Sequence, residues 1–159
     1  MKPVLKIKRV VDHVEKVSYS KEGDAGIDLR ASGRWVVELD SEKKEIEQDS
    51  YDLNPSERIL IKTGIIAEIP KGFWGNIRDR SGLAFSHGIH ILGGVVDETY
   101  RGEIGVVVVN SSKNRYMINK NDRIAQMIIV PYAAAEIVHS EDLTETSRGA
   151  NGFGSSGKK

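Results

Sequence analysis

The residues of this chain that could do chemistry fall in a few short segments. The stretch Arg148-Gly149-Ala150-Asn151-Gly152-Phe153-Gly154-Ser155-Ser156-Gly157 carries a cation, two adjacent hydroxyls and one aromatic among glycines. Glycines let the backbone wrap closely around an anion, so that N–H groups and nearby hydroxyls converge on phosphate oxygens. Phe153, alone among small residues, suits a flap that also covers a flat ring; the bland alternative is a disordered solubility tail. Gly152 to Lys158 matches GxxxxGK, but Lys159 follows where a Walker A loop needs Ser or Thr, and that reading fails. Further upstream, Gly94-Val95-Val96-Asp97-Glu98-Thr99-Tyr100-Arg101-Gly102 puts one carboxylate at the end of an apolar run, just before a turn. On a rigid strand end Asp97 could orient a water while Tyr100 packs on a sugar, although Asp-x-x-Tyr also serves as plain turn chemistry.

Three other places add polar groups. Arg80-Ser81-Gly82 offers a cation, a hydroxyl and a bare N–H at the start of a short helix expected over 81–86, a combination suited to an oligophosphate. Its competing reading is Ser81 as an ordinary N-cap with Arg80 in solvent. Asp28, within Asp24-Ala25-Gly26-Ile27-Asp28-Leu29, is either a carboxylate near a metal's waters or a hydrogen-bonded turn residue. In Arg123-Ile124-Ala125-Gln126, Arg123 reads as a structural ion pair, while Gln126 is the odder polar residue on a strand that then becomes apolar. His87 and His90 lie three apart with no cysteine or further close histidine, which argues against zinc.

The elements that position these groups read as strands. Short Val- and Ile-rich runs at 4–11, 35–39, 58–61, 64–69, 73–78, 104–110, 124–130 and 135–138 are bounded by Gly, Asn, Asp and Pro. Val106 to Val109 and, apart from Gln126, Ile124 to Val130 are continuously apolar, as for strands covered on both faces, which hints that subunits cover each other. The class is therefore all-β, a sandwich or jelly roll with one short helix. Residues 40–56 carry Glu42, Lys43, Lys44, Glu45, Glu47, Asp49 and Asp52 and read as a solvated hairpin or loop. The expected organisation is one domain over 1–139 and a flexible glycine-rich arm over 140–159.

With 159 residues the chain can bury a core without staples, and having no cysteine it contains neither disulfide nor thiolate chemistry. Lys+Arg and Asp+Glu are both 23, a balance that argues against a nucleic-acid groove or a membrane-surface binder. No long apolar run occurs, and a cytoplasmic protein, of a bacterium or a virus-infected host cell, is expected.

In order, the five segments resemble the five motifs of the trimeric dUTP pyrophosphatase (dUTPase) family: 24–29, 80–84, 94–102, 123–126 and 148–157. The resemblance implies a distorted jelly roll of the β-clip type, a homotrimer with sites at subunit interfaces, and a C-terminal arm that reaches or swaps between subunits. It implies hydrolysis of dUTP to dUMP and pyrophosphate with Mg²⁺, limiting uracil incorporation into DNA and supplying dUMP for dTMP synthesis. On this sequence Asp97 would activate the water that attacks the α-phosphorus, and Tyr100 would exclude a ribose 2′-hydroxyl. The backbone from Ile91 through Gly94, Val95 and Val96 would read uracil. Arg80, Ser81 and Gly82 would hold phosphates, with Gln126 near the α-phosphate and Asp28 supporting water around the metal. From the arm, Arg148, Gly154, Ser155 and Ser156 would grip phosphates while Phe153 stacks on the base. Mg²⁺ would be held mainly by phosphates and water, with no direct protein ligand.

Three departures from the family pattern stand out. Asp79 occupies a position where many members have proline, which is expected to loosen that turn. Ile91 stands where many bacterial members have a base-contacting asparagine, which shifts uracil recognition towards backbone atoms. The charged stretch 40–56 exceeds a minimal member; a regulatory partner surface there is the minority reading. The nearest rival, dCTP deaminase, resembles the same hairpin but needs Trp at Tyr100 and a catalytic Glu where Val107 stands.

Overall fold

The computed structural model describes residues 2–39 and 41–152. The chain is an all-β jelly roll with one short helix, as expected. Among the described residues twelve strands run in the order β1 (Lys6–Arg9), β2 (Gly26–Arg30), β3 (Arg34–Leu39), β4 (Glu42–Glu47), β5 (Ser50–Leu53), β6 (Arg58–Glu68) and β7 (Phe73–Arg78), then helix α1 (Ser81–His87), β8 (Ile89–Leu92), β9 (Val95–Val96), β10 (Glu103–Asn110), β11 (Tyr116–Asn119) and β12 (Arg123–Pro131). One sheet has the order β4-β3-β6-β10-β8, with β1 also paired to β6; a second has β2-β12-β7-β9; β5 and β11 form a separate ribbon.

Alternation sets the core. In β10, Ile104, Val106, Val108 and Asn110 are buried, and in β6 so are Ile59, Ile61 and Ile65. Trp35 is fully buried, opposite Ile61 on one side and Ile46 on the other. Burying this contiguous aliphatic cluster, at roughly 1.5–3 kcal/mol per large side chain, is what holds the two sheets together. Within one chain, the strands expected to be covered on both faces are buried on one face only. Val36, Leu60, Val107 and Leu92 lie in register across β3, β6, β10 and β8 and are only partly covered.

Other differences have local causes. The runs at 58–61 and 64–69 are one strand, β6, because Gly64 adopts φ 72° and absorbs an irregularity without ending the ladder. A Cβ there would meet Val11 Cγ2 at 2.5 Å and Val14 Cγ2 at 2.7 Å. The freed Gly64 N–H donates to Glu103 Oε1 at 2.7 Å, and Arg34 pairs with the same carboxylate. Residues 135–138 form no strand: from Pro131 through Gly152 every residue is exposed, so the exposed arm begins well before the expected 140. Within 40–56, only β4 behaves as a solvated hairpin arm. Its charged side chains, Glu42, Lys43, Lys44, Glu45 and Glu47, guard an edge that pairs on one side only. β5 belongs to the body, with Leu53 fully buried.

Candidate active site

The second sheet assembles one polar cluster. Antiparallel pairing puts Gln126 of β12 opposite Asp28 of β2 on one side and Arg78 of β7 on the other. β7 then hands over to Asp79, Arg80 and helix α1. Arg80 is the residue preceding the helix, with φ −87° and ψ 123° and no side-chain cap; Ser81 is the first helical residue, so the N-cap reading of Ser81 is replaced. The first-turn N–H groups of α1 have no partners within the helix, and a Cβ at Gly82 would find nothing within 4 Å, so this helix start faces open space.

Asp28 organises the cations. Its Oδ1 lies 3.3 Å from Arg80 Nε, and its Oδ2 accepts from Arg123 Nη1 at 3.2 Å and from Ser20 Oγ at 2.8 Å. Burial by itself would raise the Asp28 carboxyl. The hydroxyl of Ser20 and the charges of Arg123 and Arg80 together outweigh it and hold the group below the usual carboxylate range. Arg80 also donates Nη1 to the Arg123 carbonyl at 3.1 Å. The Arg123 ion pair is thus as expected, and Asp28 turns out to fix two guanidiniums. An open cleft of about 810 Å³ results, lined by Asp28, Arg80, Ser81, Gly82, Arg123 and Gln126 among others. Two fixed cations, a helix start and a side-chain amide suit a polyanion far better than a neutral ligand.

A second cluster forms on the 93–103 hairpin. Gly94 has φ 108°, and a Cβ there would stand 2.7 Å from the Ile77 carbonyl oxygen; its own carbonyl accepts the Ile77 N–H at 2.8 Å. Val95 and Val96 pair with Asn76 and Gly75 of β7, which anchors the strand leading to exposed Asp97. Tyr100 donates its N–H to the Asp97 carbonyl at 3.1 Å and its hydroxyl to the Glu103 carbonyl at 3.0 Å. The phenol lies against Gly102, where any Cβ would collide with the Tyr100 hydroxyl. Asp97 and Tyr100 border a hollow of about 260 Å³ with Lys62, Val96, Glu103 and Gly105.

The two clusters share no lining residue in one chain. Ile91 belongs to neither: its side chain is buried, its N–H donates to Asp79, and it borders a third hollow with Ser81 and Gln126. Arg148 lies in the exposed arm, donating Nε to the Asn151 carbonyl at 2.9 Å. Phe153, Gly154, Ser155 and Ser156 lie outside the described residues. Sequence reading passed over Ser20, Lys21 and His87, which also line the large cleft. Ser20 sits in a loop with no motif signal. His87 and His90, weighed only as a metal pair, have separate tasks: His87 packs on Tyr116 at 4.8 Å between centroids with the rings tilted by 43°, and His90 pairs with Asp79. Among the described residues no helix is long and apolar enough to cross a membrane.

The family model described as dUTPase matches residues 12–157. The deoxyuridine 5′-triphosphate nucleotidohydrolase of Rhizobium etli (strain CIAT 652) is 41% identical over 161 residues, covering 98% of this chain and 95% of that protein. Its counterpart from Nautilia profundicola is 41% identical over 156 residues, covering 97% and 99%. Among solved structures, the Staphylococcus bacteriophage 80alpha dUTPase with dUPNHPP has a TM-score of 0.76 at 26% identity, covering 97% of this chain and 98% of that one. That protein is described as one of the phage dUTPases that control transfer of virulence genes by a proto-oncogenic G protein-like mechanism. Matched by the family model along most of its length and by full-length relatives above 40% identity, this chain belongs to the dUTPase family.

Proposed function

We propose that the protein hydrolyses dUTP to dUMP and pyrophosphate in the cytoplasm. The observation that carries this is the cleft in which Asp28 fixes Arg80 and Arg123 beside the start of α1, together with a separate hairpin bearing Asp97 and Tyr100. A triphosphate brings several negative charges, which the cleft neutralises with cations and N–H groups. Gln126 stands at the α-phosphate. Asp97 takes a proton from a water whose oxygen bonds to the α-phosphorus as the bond to the bridging oxygen breaks, and pyrophosphate leaves. Positioning and charge stabilisation carry most of such a reaction.

The separation of the two clusters within one chain supports assembly, and a homotrimer is the assembly this reading takes. The hairpin of one subunit would complete the cleft of another, and the partly covered row Val36, Leu60, Val107 and Leu92 offers apolar area for the contact. The arm carrying Arg148, Phe153, Gly154, Ser155 and Ser156 would close over the nucleotide. Tyr100, seated on Gly102, would face the sugar, and main-chain atoms of 91–96 would read the base.

The residues of the cleft fit a magnesium-bound triphosphate. Among the described residues no three His, Cys, Asp or Glu side chains form a metal cluster of their own, and the cleft's donors complement phosphates. Mg²⁺ held by the phosphates would add charge neutralisation, with Asp28 the carboxylate its waters can meet.

The test is product analysis with dUTP, dCTP, dTTP and UTP in Mg²⁺, on protein whose mass is measured by sedimentation. Turnover of dUTP alone, by a trimer, is expected. Ammonia from dCTP, or comparable turnover of UTP, would overturn the assignment. A regulatory role alongside catalysis is supported by the likeness to the phage protein and by the open edge of β4, on the 40–56 segment. Shortening the β3–β4 hairpin should then leave dUTP turnover within about twofold, as expected for a surface remote from the chemistry; a large loss would assign the hairpin to catalysis instead.

A further inference from the structure

Asp79 links three elements through two different groups. It follows β7 and precedes Arg80, and its carboxylate reaches across to β8. There Oδ1 accepts the Ile91 N–H at 2.8 Å and Oδ2 pairs with His90 Nδ1 at 2.6 Å. An ionised carboxylate only accepts, so the proton of this second bond sits on His90 Nδ1. The main-chain carbonyl of Asp79 faces the other way and accepts Gln126 Nε2 at 2.8 Å. Gln126 in turn lies over Gly26, where a Cβ would stand 2.6 Å from its Oε1. The side-chain amide is therefore held by a bare glycine beneath it and by a single carbonyl in front of it. The turn is tied down, contrary to the expected loosening.

We propose that Asp79 is a positioning residue: by clamping the β7–α1 turn onto β8 it fixes the carbonyl that orients Gln126 and the Arg80-Ser81-Gly82 backbone. This rests on reading the cleft as the triphosphate site. Without the clamp, the turn between a strand end and a helix that has no side-chain cap is left to the Arg80 side chain, whose hold on Asp28 and the Arg123 carbonyl acts at the tip of a long side chain and not on the Asp79 main chain. Gln126 then loses its fixed acceptor, and the helix start shifts relative to Asp28. Displacements of about 1 Å cost on the order of 100-fold in reactions that depend on alignment. The loss falls on kcat, because phosphate affinity is spread over other groups while alignment at the α-phosphorus is not.

Asp79→Ala, Asp79→Asn and His90→Ala should be compared with wild type for dUTP turnover in Mg²⁺ and for thermal stability. Asp79→Ala is expected to lower kcat by about 10- to 100-fold with KM moving far less. Asp79→Asn keeps an acceptor for Ile91 and should recover most of that loss. His90→Ala, on an exposed side chain, should lower kcat by a few fold without changing the melting temperature. Wild-type kcat in Asp79→Ala, a loss confined to KM, or equal damage in Asp79→Asn would overturn the proposal. If Asp79→Ala does not fold, wild-type kcat in His90→Ala overturns it. A wild type inert towards dUTP would sink the substrate reading alone. The clamp would still be read from amide exchange, with Ile91 and the Gln126 side chain expected to exchange faster in His90→Ala and unchanged rates counting against it.

Discussion

Asp97→Asn is expected to bind dUTP nearly as well as the wild type and to hydrolyse it about a thousandfold more slowly, within the range by which a positioned general base accelerates proton transfer. The substitution is close to isosteric, and the local backbone has its own supports. Val95 and Val96 pair with β7, Gly94 accepts the Ile77 N–H, and the turn is closed by the Tyr100 N–H on the Asp97 carbonyl. None of these involves the Asp97 carboxylate, so the hairpin should persist. What changes is chemical: a neutral amide cannot take the proton of the attacking water. A thousandfold loss corresponds to about 4 kcal/mol of transition-state stabilisation. Calorimetric titration with dUTP and Mg²⁺ would measure binding, and single-turnover hydrolysis the chemical step. Unchanged turnover would remove Asp97 from the mechanism; loss of binding would recast it as a ligand for the sugar.

How much of this site was legible beforehand depends on the physical scale of each feature. A cation, a hydroxyl and a bare N–H at a helix start stand out in sequence, so Arg80, Ser81 and Gly82 could be named as phosphate-suited before their cleft was seen, whereas Asp28 and Gln126 were named through the resemblance of their segments to family motifs. The strand pattern was legible where a short apolar run is bounded by turn residues, as in β7, β10 and β12, and β2 was hidden because Asp28 within it reads equally as a turn residue. It failed for 135–138, an apolar run with nothing to pack against within one chain. Tertiary reciprocity was not legible at all. That Asp28 would hold two arginines requires β2 and β12 in register, and that Gln126 would lean on Asp79 requires Gly26 beneath it. Such pairings join residues up to 95 apart and leave no local trace. Gly102 shows the same limit: its need for a bare Cα is set by where the Tyr100 ring lies, two residues away yet folded back over the hairpin.

Deleting the chain from Arg148 onward is expected to leave folding and assembly intact while lowering kcat by about a thousandfold, the scale on which an arginine stabilising transferred-phosphate charge operates. The structural half rests on the described arm. After the Tyr132 N–H donates to the Gly72 carbonyl, the hydrogen bonds seen for 133–152 are local: Ser140 to Asp142, Gly149 to Thr146, and Arg148 with Asn151. Every residue there is exposed, and none belongs to the hydrophobic core. Removing its described part costs no area buried within the chain, so the melting temperature should move by no more than about the effect of a surface substitution. The functional half follows from charge and access. Within the cleft, Arg80 and Arg123 are already tethered to Asp28, which fixes them in place but also shares their charge with a carboxylate. Arg148 makes no ion pair among the described residues and is free to meet the phosphates, and an ordered arm would exclude bulk water from the reacting phosphorus. The loss should therefore be concentrated in kcat for dUTP, with the mass of the assembled protein and its melting curve unchanged. Full activity in the truncated protein would show that the cleft and hairpin suffice without the arm; a collapsed melting transition would show instead that the arm is part of the assembled body.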